Sequence, residues 1–244
     1  MRLRYRIERL GTLGGLLGST IMTVGLILAA IAFLGLMGQT YNPLNHFVSE
    51  LGHTEASELW SVFSAVVIVG AIGFGMQMIA VGNRFGGVVF WLFALGGIVV
   101  AISGGLVAVF PMNVNLEAHG QVALTFFASS FLVVALYSLV VGFSNQTVYR
   151  HWLAIVGVPM LVSSLVFAVT LSNRATTNAS VIQALATPEN TRVAFDIVTT
   201  SEWAVMISLL LWVLVVAVYH VLHPIGTLNP FRGITGLPAF LREG

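Results

Sequence analysis

Long runs of apolar residues alternate along this chain with short polar intervals. Six of the runs are long enough to cross a hydrocarbon core of about 30 Å as a helix of about 20 residues. We place the spans near 13–37, 59–81, 86–110, 119–142, 152–172 and 203–222, the last with an alternative start near 188. These runs are too long and too uniformly apolar for the strands of a barrel. The pattern predicts an all-α integral membrane protein, with six transmembrane helices in one compact bundle formed by a single domain, 1–244.

Composition agrees with this prediction and excludes several classes of protein. Hydrophobic residues make up 57% of the chain and charged residues only 8%, whereas soluble domains are about a quarter charged. The chain has no cysteine, so disulfides and thiolate metal sites are excluded. Nucleotide-binding loops and serine-nucleophile motifs are absent from the sequence. The formal charge is near neutral, at +1, and we interpret the arginine-rich start of the chain as a topology anchor that contacts anionic lipid, so no nucleic-acid partner is predicted.

The basic residues, all of them arginine, are divided unevenly between the two sides of the predicted bundle. One side carries Arg2, Arg4, Arg6, Arg9, Arg84, Arg150, Arg232 and Arg242, and the other carries Arg174 and Arg192. Because short cytoplasmic loops retain arginine, we expect a multi-pass protein of the cell membrane with both termini cytoplasmic. The loops 41–58, 111–118 and 173–202 would then face outward.

Small residues recur at helical spacing in two of the predicted spans. They are Gly11, Gly14, Gly15 and Gly18 in the first span, and Gly97, Ala101 and Gly105 in the third. Small residues four positions apart allow another helix to approach closely. We interpret them as packing positions within the bundle, with the seam of a homo-oligomer as the alternative.

The first outward loop, 41–58, is the most polar interval between spans. In a helical turn, His46, Glu50 and His53 would project from one face because they are spaced i, i+4 and i+7. A carboxylate between two imidazoles suits a divalent metal. The simpler interpretation is that Ser49 and Glu50 cap a turn, while the histidines lie in the hydrated headgroup layer.

Further polar residues are expected at the same outer face. The candidate outer cluster consists of Glu50, His53, Glu117, His119, Arg192, Asp196 and Glu202. The candidate metal ligands are His46, Glu50, His53 and His119. If the last helix starts near 188, then Arg192 and Asp196 are spaced for an ion pair along a protruding helix.

Three further features, a turn, a helix bend and two histidines, are interpreted as structural. The segment Gly82-Asn83-Arg84 predicts a tight turn between the second and third spans. Pro159 predicts a bend in the fifth span. His220 and His223 end the last span, where we interpret them as polar tips that reach the headgroup layer.

Short motifs along the chain resemble one protein family. They are Ser-Glu-Leu-Gly at 49–52, Phe110-Pro111, His119-Gly120, and Arg192 followed by Glu202-Trp203. This pattern is similar to the bacterial and archaeal family catalogued as domain of unknown function 998. The resemblance covers most of the chain and implies a six-helix membrane fold, with Glu50, His119 and Arg192 at matching positions. It implies no activity, and His46 and His53 do not match the pattern.

The sequence favours a non-catalytic accessory or scaffolding subunit that packs against other membrane proteins, lipids or pigments, or against copies of itself. One alternative is an outward-facing enzyme that acts on a lipid headgroup or an isoprenoid through the acidic and histidine residues. A small-solute transporter is the other alternative, although no charged residue is expected in the middle of a span. We predict no resident cofactor; a divalent metal and a bound lipid or pigment stay open as alternatives.

Overall fold

The computed structural model describes residues 2–36, 38–144, 149–176 and 192–224. Within these ranges the chain forms helices and no strand, apart from an isolated bridge between Phe33 and Ser57. The helices are α1 (Arg2–Ile31), a 3-10 helix (Val48–Gly52), α2 (Trp60–Phe85), α3 (Gly87–Val109), α4 (Leu116–Phe143), α5 (Leu153–Val156), α6 (Val158–Thr176) and α7 (Ile197–Leu222). Six helical segments of the described chain are long and apolar enough to span a membrane, with α5 and α6 together forming the fifth. The predicted all-helical, six-span fold is confirmed.

The two faces of the bundle carry different parts of the chain. We call the face with the connections 32–59, 110–115 and 192–196 the loop face. The opposite face, where α1 begins and α7 ends, is the terminal face. Within the bundle, α1 packs against α2 and α7, α2 against α3, α3 against α4, and α6 against α7.

The first span differs from its predicted limits at both ends. Helix α1 begins at Arg2, eleven residues before the predicted start, and ends at Ile31. It stops there because the chain turns away to pair Phe33 with Ser57. Gly35 follows with a φ of 60°, a conformation that glycine adopts without steric cost.

The predicted tight turn at 82–84 is wrong. Helix α2 continues to Phe85, and the chain turns at Gly86 and Gly87, whose φ angles are 73° and 52°. Asn83 stays helical because its side chain donates to the carbonyl of Arg4 at 2.8 Å, and Arg4 donates to the carbonyl of Asn83 at 2.8 Å. These two reciprocal bonds join the end of α2 to the start of α1.

The fifth and sixth spans also depart from prediction. The fifth span breaks at Gly157, between α5 and α6, whereas Pro159 lies in the first turn of α6, where proline is tolerated. Helix α7 begins at Ile197 after Asp196, whose carboxylate accepts from the amide of Val198 at 2.8 Å. Residues 192–196 are not helical, so a continuous helix from 188 is wrong; residues 188–191 lie outside the described ranges.

The small residues of α1 lie at its interface with α2. A Cβ atom added at Gly18 would lie 2.9 Å from the Cα of Gly73. On the other side of α2, Gly75 faces Gly97 and Ala101 of α3, with 3.0 Å between an added Cβ and that of Ala101. Gly105 faces open space, with no atom within 4 Å of an added Cβ. The close helix contacts therefore involve both faces of α2.

We expect Gly73→Ala to destabilise the bundle by about 1–3 kcal/mol, the usual cost of overpacking. The new Cβ would lie 2.5 Å from the carbonyl oxygen of Gly14, and backbone can yield only if α1 and α2 separate. Gly105→Ala is the matched control, and should be neutral or stabilising by about 0.5–1 kcal/mol because alanine favours helix. Thermal unfolding in detergent would measure both; equal midpoints for the two variants would contradict the close α1–α2 contact.

Candidate functional site

A buried ion pair joins two distant parts of the chain at the loop face. Glu50, in the 3-10 helix, is only 4% exposed. Arg192 Nη1 donates to its carboxylate, at 2.9 Å from Oε2 and 3.0 Å from Oε1, and to the carbonyl of Asn45 at 3.2 Å. The amide of Phe47 donates to Glu50 Oε1 at 2.8 Å. Glu50 thus caps its own turn and anchors the segment before α7, through charge-assisted bonds that are stronger than neutral ones.

Aromatic side chains pack beside this ion pair. The Tyr41 hydroxyl donates to the carbonyl of Phe47 at 2.7 Å, and Trp203 Nε1 donates to the Tyr41 oxygen at 2.8 Å. Burial raises the pKa of Tyr41 well above its ordinary value, and the negative charges of Glu202 and Glu50 act in the same direction. Tyr41 therefore keeps its proton and acts as a donor that fixes the loop against α7.

Glu202 of α7 forms a hydrogen bond with the same loop. It is 6% exposed, and its Oε2 accepts from the amide of Val48 at 2.7 Å. Its Oε1 has no hydrogen-bond partner among the described residues. Glu202 therefore uses one oxygen to hold the 3-10 helix and keeps the other available.

His119, in the first turn of α4, is arranged in the same way. Its Nδ1 donates to the carbonyl of Phe110 at 2.7 Å. A carbonyl oxygen only accepts, so Nδ1 carries the hydrogen, and Nε2 of the neutral ring has a lone pair. No described group donates to this Nε2.

Asp196 has a different partner from the one that helical spacing predicted. It pairs with Arg174 at the end of α6 while it caps α7, and Arg192 pairs with Glu50 instead. The predicted pairing of Arg192 with Asp196 along one helix is wrong because the residues precede α7. The two ion pairs fix α6 and the first loop to the start of α7.

Two of the predicted cluster residues lie apart from these contacts. The Nδ1 of His53 accepts from the amides of Glu55 and Ala56 at 3.2 and 3.1 Å. Burial lowers the pKa of His53, although Glu55 and Glu50 act to raise it. Glu117 is exposed on α4, with its carboxylate 3.5 Å from the side chain of Gln121.

The structure does not assemble the candidate metal ligands. Across the described residues, no three histidine, aspartate or glutamate side chains lie close enough to hold a metal ion. His46 contacts Asn45 Oδ1 through Nδ1 at 2.6 Å and packs edge-on against the ring of Phe33. No three of the residues His46, Glu50, His53 and His119 therefore converge on one metal site.

An internal cavity lies beneath this loop cluster. Glu202, His119 and Ser49 line it together with apolar side chains from α1, α2, α3, α4 and α7. About 740 Å³ of space is free of protein atoms, part of it open to the surroundings, and about 60 Å³ admits the centre of a water-sized molecule. The cavity therefore has a polar end at the loop face and an apolar body within the membrane-spanning part of the bundle.

These features define a multi-pass helical membrane protein whose loops are fastened over an internal cavity. A family model described as "Protein of unknown function (DUF998)" matches residues 21–219, and the chain belongs to that family. The family predicted from the sequence is thereby confirmed. The matched range contains Glu50, His119, Arg192 and Glu202 but begins after Glu8. No curated protein and no solved structure matches the chain.

A second buried cluster, which was not predicted from the sequence, lies at the terminal face. Arg84 of α2 forms an ion pair with Glu8 of α1, and both residues are under 5% exposed. Arg84 Nη2 also donates to the carbonyl of His223 at 2.7 Å, and its guanidinium lies 5.4 Å from the centre of the Tyr149 ring. One arginine therefore ties α1, the end of α2 and the end of α7 together.

His220 belongs to this second cluster. It is 2% exposed, with Nε2 at 2.6 Å from the Tyr149 hydroxyl and Nδ1 at 3.2 Å from that of Thr12. Burial raises the pKa of Tyr149, so the hydroxyl stays protonated and donates to Nε2. The interpretation of His220 as a polar tip is wrong. The available signal was the i, i+4 spacing of Glu8 and Thr12, which places both on one face of α1.

Replacing Glu50 with alanine should lower the free energy of unfolding by about 3–5 kcal/mol, because it leaves the buried Arg192 guanidinium without its counter-charge and the Phe47 amide without its acceptor. Glu55→Ala is the matched control, since Glu55 is exposed on the same loop, and should change stability by less than about 0.5 kcal/mol. Unfolding of the purified variants in detergent would compare them. A Glu50→Ala protein as stable as Glu55→Ala would show that the ion pair does not hold the loop.

At the terminal face, Arg84→Ala should cost a similar amount, about 3–5 kcal/mol, because it removes a buried cation from beside Glu8. Arg150→Ala removes an exposed arginine of the same face and should cost less than about 0.5 kcal/mol. Both losses can be measured by chemical denaturation and by the yield of folded protein. Comparable yields for the two variants would rule out a structural role for the buried pair.

Proposed function

We propose that this protein is a non-catalytic accessory or scaffolding subunit of the cell membrane. In this proposal it packs against lipids and other membrane proteins, with the loop face outward and both termini cytoplasmic. The orientation is supported by the arginines of the terminal face, where Arg6, Arg9 and Arg150 are exposed and would contact the cytoplasmic leaflet.

One observation carries the proposal: the strongest polar groups of the loop cluster bond to the chain itself. Both oxygens of Glu50 are occupied by Arg192, and one is also bonded to a loop amide. A general base must lie within hydrogen-bond reach of the proton that it removes. A carboxylate bound in this way is suited to fastening loops and poorly suited to proton abstraction from a headgroup.

The outer surface of the bundle supports a role in packing. Large aliphatic side chains are exposed along every span, as the positions Leu17, Ile72, Ile102, Leu132, Val162 and Leu211 illustrate. Lipid and apolar partner helices are both suitable neighbours for such a surface, and helices in a membrane associate by packing rather than by the hydrophobic effect. The six spans make up most of the described chain, so contacts with partners would form mainly within the bilayer.

The test is to extract the native protein in mild detergent and determine the mass and composition of the particle that contains it. We expect a larger membrane assembly that contains the chain in fixed stoichiometry. Glu55→Ala should retain this assembly, whereas Glu50→Ala should lose it together with the folded chain.

A particle that holds this chain alone would argue against the accessory role. Solute uptake by proteoliposomes that contain the protein would identify it as a transporter instead. Turnover of a lipid headgroup that is lost in folded Glu50→Gln protein would identify it as an enzyme instead. Wild-type protein carried through the same extraction and reconstitution serves as the reference for each comparison.

A further inference from the structure

We infer that the internal cavity binds a slender, single-chain apolar molecule with a hydroxyl head, taken up from the bilayer. The accessory role proposed above does not require this site, and the two can be tested separately. Four observations carry the inference: the shape of the cavity, its adaptable walls, the chemistry of its polar end, and its position beside a lipid-facing groove.

The shape of the cavity selects a narrow ligand. About 740 Å³ is free of protein atoms, part of it open to the surroundings, yet only about 60 Å³ admits the centre of a water-sized molecule, so most of the space is too narrow for a bulky group. Its lining extends along α7 from Glu202 to Val213, eleven residues, or roughly 16 Å at 1.5 Å per residue. One hydrocarbon chain suits this space, and the two chains of a phospholipid do not.

The walls combine closely packed small residues with adaptable side chains. Gly104 packs against Ala71 and Phe126, with 3.0 Å between an added Cβ at Gly104 and the Cβ of Ala71, so this part of the wall is already filled. Met22 and Met206 line the same space, and the flexible methionine side chain adjusts to irregular apolar ligands. These two methionine side chains can therefore shift to make room for a hydrocarbon chain, without movement of the helices.

The polar end specifies the head of the ligand. Among the described residues, Glu202 Oε1 and His119 Nε2 have no hydrogen-bond partner, and both residues line the cavity. A buried acceptor without a partner costs free energy, and a hydroxyl hydrogen donated to either group removes that cost. No arginine of the described ranges lines the cavity, so a carboxylate or phosphate head would lose hydration without gaining a counter-charge from these residues.

The position of the cavity favours a ligand from the membrane. Ser19 and Leu210 line the cavity and also line a groove on the outside of the bundle, between α1 and α7. The other side chains of that groove include Val24, Ile207 and Leu211, which are suited to contact with lipid chains. A molecule dissolved in the bilayer would reach the polar end by passing between α1 and α7.

The probe for this site is tritiated 1-dodecanol, equilibrated with the full-length protein in phosphatidylcholine nanodiscs; binding to empty nanodiscs is subtracted. Tritiated dodecanoate at mildly alkaline pH has the same chain with an anionic head, and dodecane has no head. We expect one saturable site for dodecanol, with affinity about tenfold or more weaker for dodecanoate and for dodecane.

Matched variants on α4 locate the site. Ala123 lines the cavity, so Ala123→Phe should reduce dodecanol binding about tenfold or more. Ala128 is exposed on the same helix, so Ala128→Phe should bind as the wild-type protein does. Thermal unfolding must first show that each variant is folded.

Three results would each overturn the inference: no saturable dodecanol binding, equal binding of dodecanol and dodecanoate, or full binding by folded Ala123→Phe. If Ala123→Phe does not fold, the comparison of heads in the wild-type protein still decides the matter. The dodecanol experiment does not depend on the mass of the native particle. A negative binding result therefore leaves the proposed accessory role intact, and a particle that holds this chain alone leaves the proposed binding site intact.

Discussion

Lipid offers no hydrogen-bond partner, so a polar group inside this bundle is stabilised when it finds one within the chain. The Glu50–Arg192 pair is the clearest consequence at the loop face, because it is buried and joins residues 142 positions apart. Around it, Tyr41 bonds to Trp203 of α7 and Asn45 bonds to Arg192, so that the first loop is held both to α7 and to the segment before it. Without that fastening, the amides of the 3-10 helix would face an apolar interior unpaired, at about 1–3 kcal/mol each.

The cavity results from the uneven packing of other helices around α2. Glycines allow α1 to approach one side of α2 and α3 to approach another. Helix α7 packs against α1 and α6 and touches α2 only slightly. Tight contacts at the edges of α2 therefore leave a gap opposite α7, which the side chains of Phe63, Val67 and Phe74 line but do not fill.

The fold could be predicted from apolar runs because span length is set by the thickness of the bilayer, a constraint that is local in sequence. The partners of polar residues were harder to predict, since they depend on which loops meet in space. Arg192 was assigned to Asp196 by helical spacing and pairs with Glu50 instead. Only the motif resemblance indicated Glu50, His119 and Arg192 as a set. At the terminal face, Glu8 lies among arginines in the sequence, and no local pattern identified Arg84 as its partner.

Glu202 connects the loop cluster with the cavity. One of its oxygens holds the amide of Val48, and the side chain also lines the space below. A ligand that bonded to the free oxygen would hold the carboxylate in place and favour the fastened loop. A ligand that drew the carboxylate away would leave the Val48 amide unpaired, at about 1–3 kcal/mol. Occupancy of the cavity and order in the first loop are thus linked through one side chain, and by reciprocity a change in either affects the other.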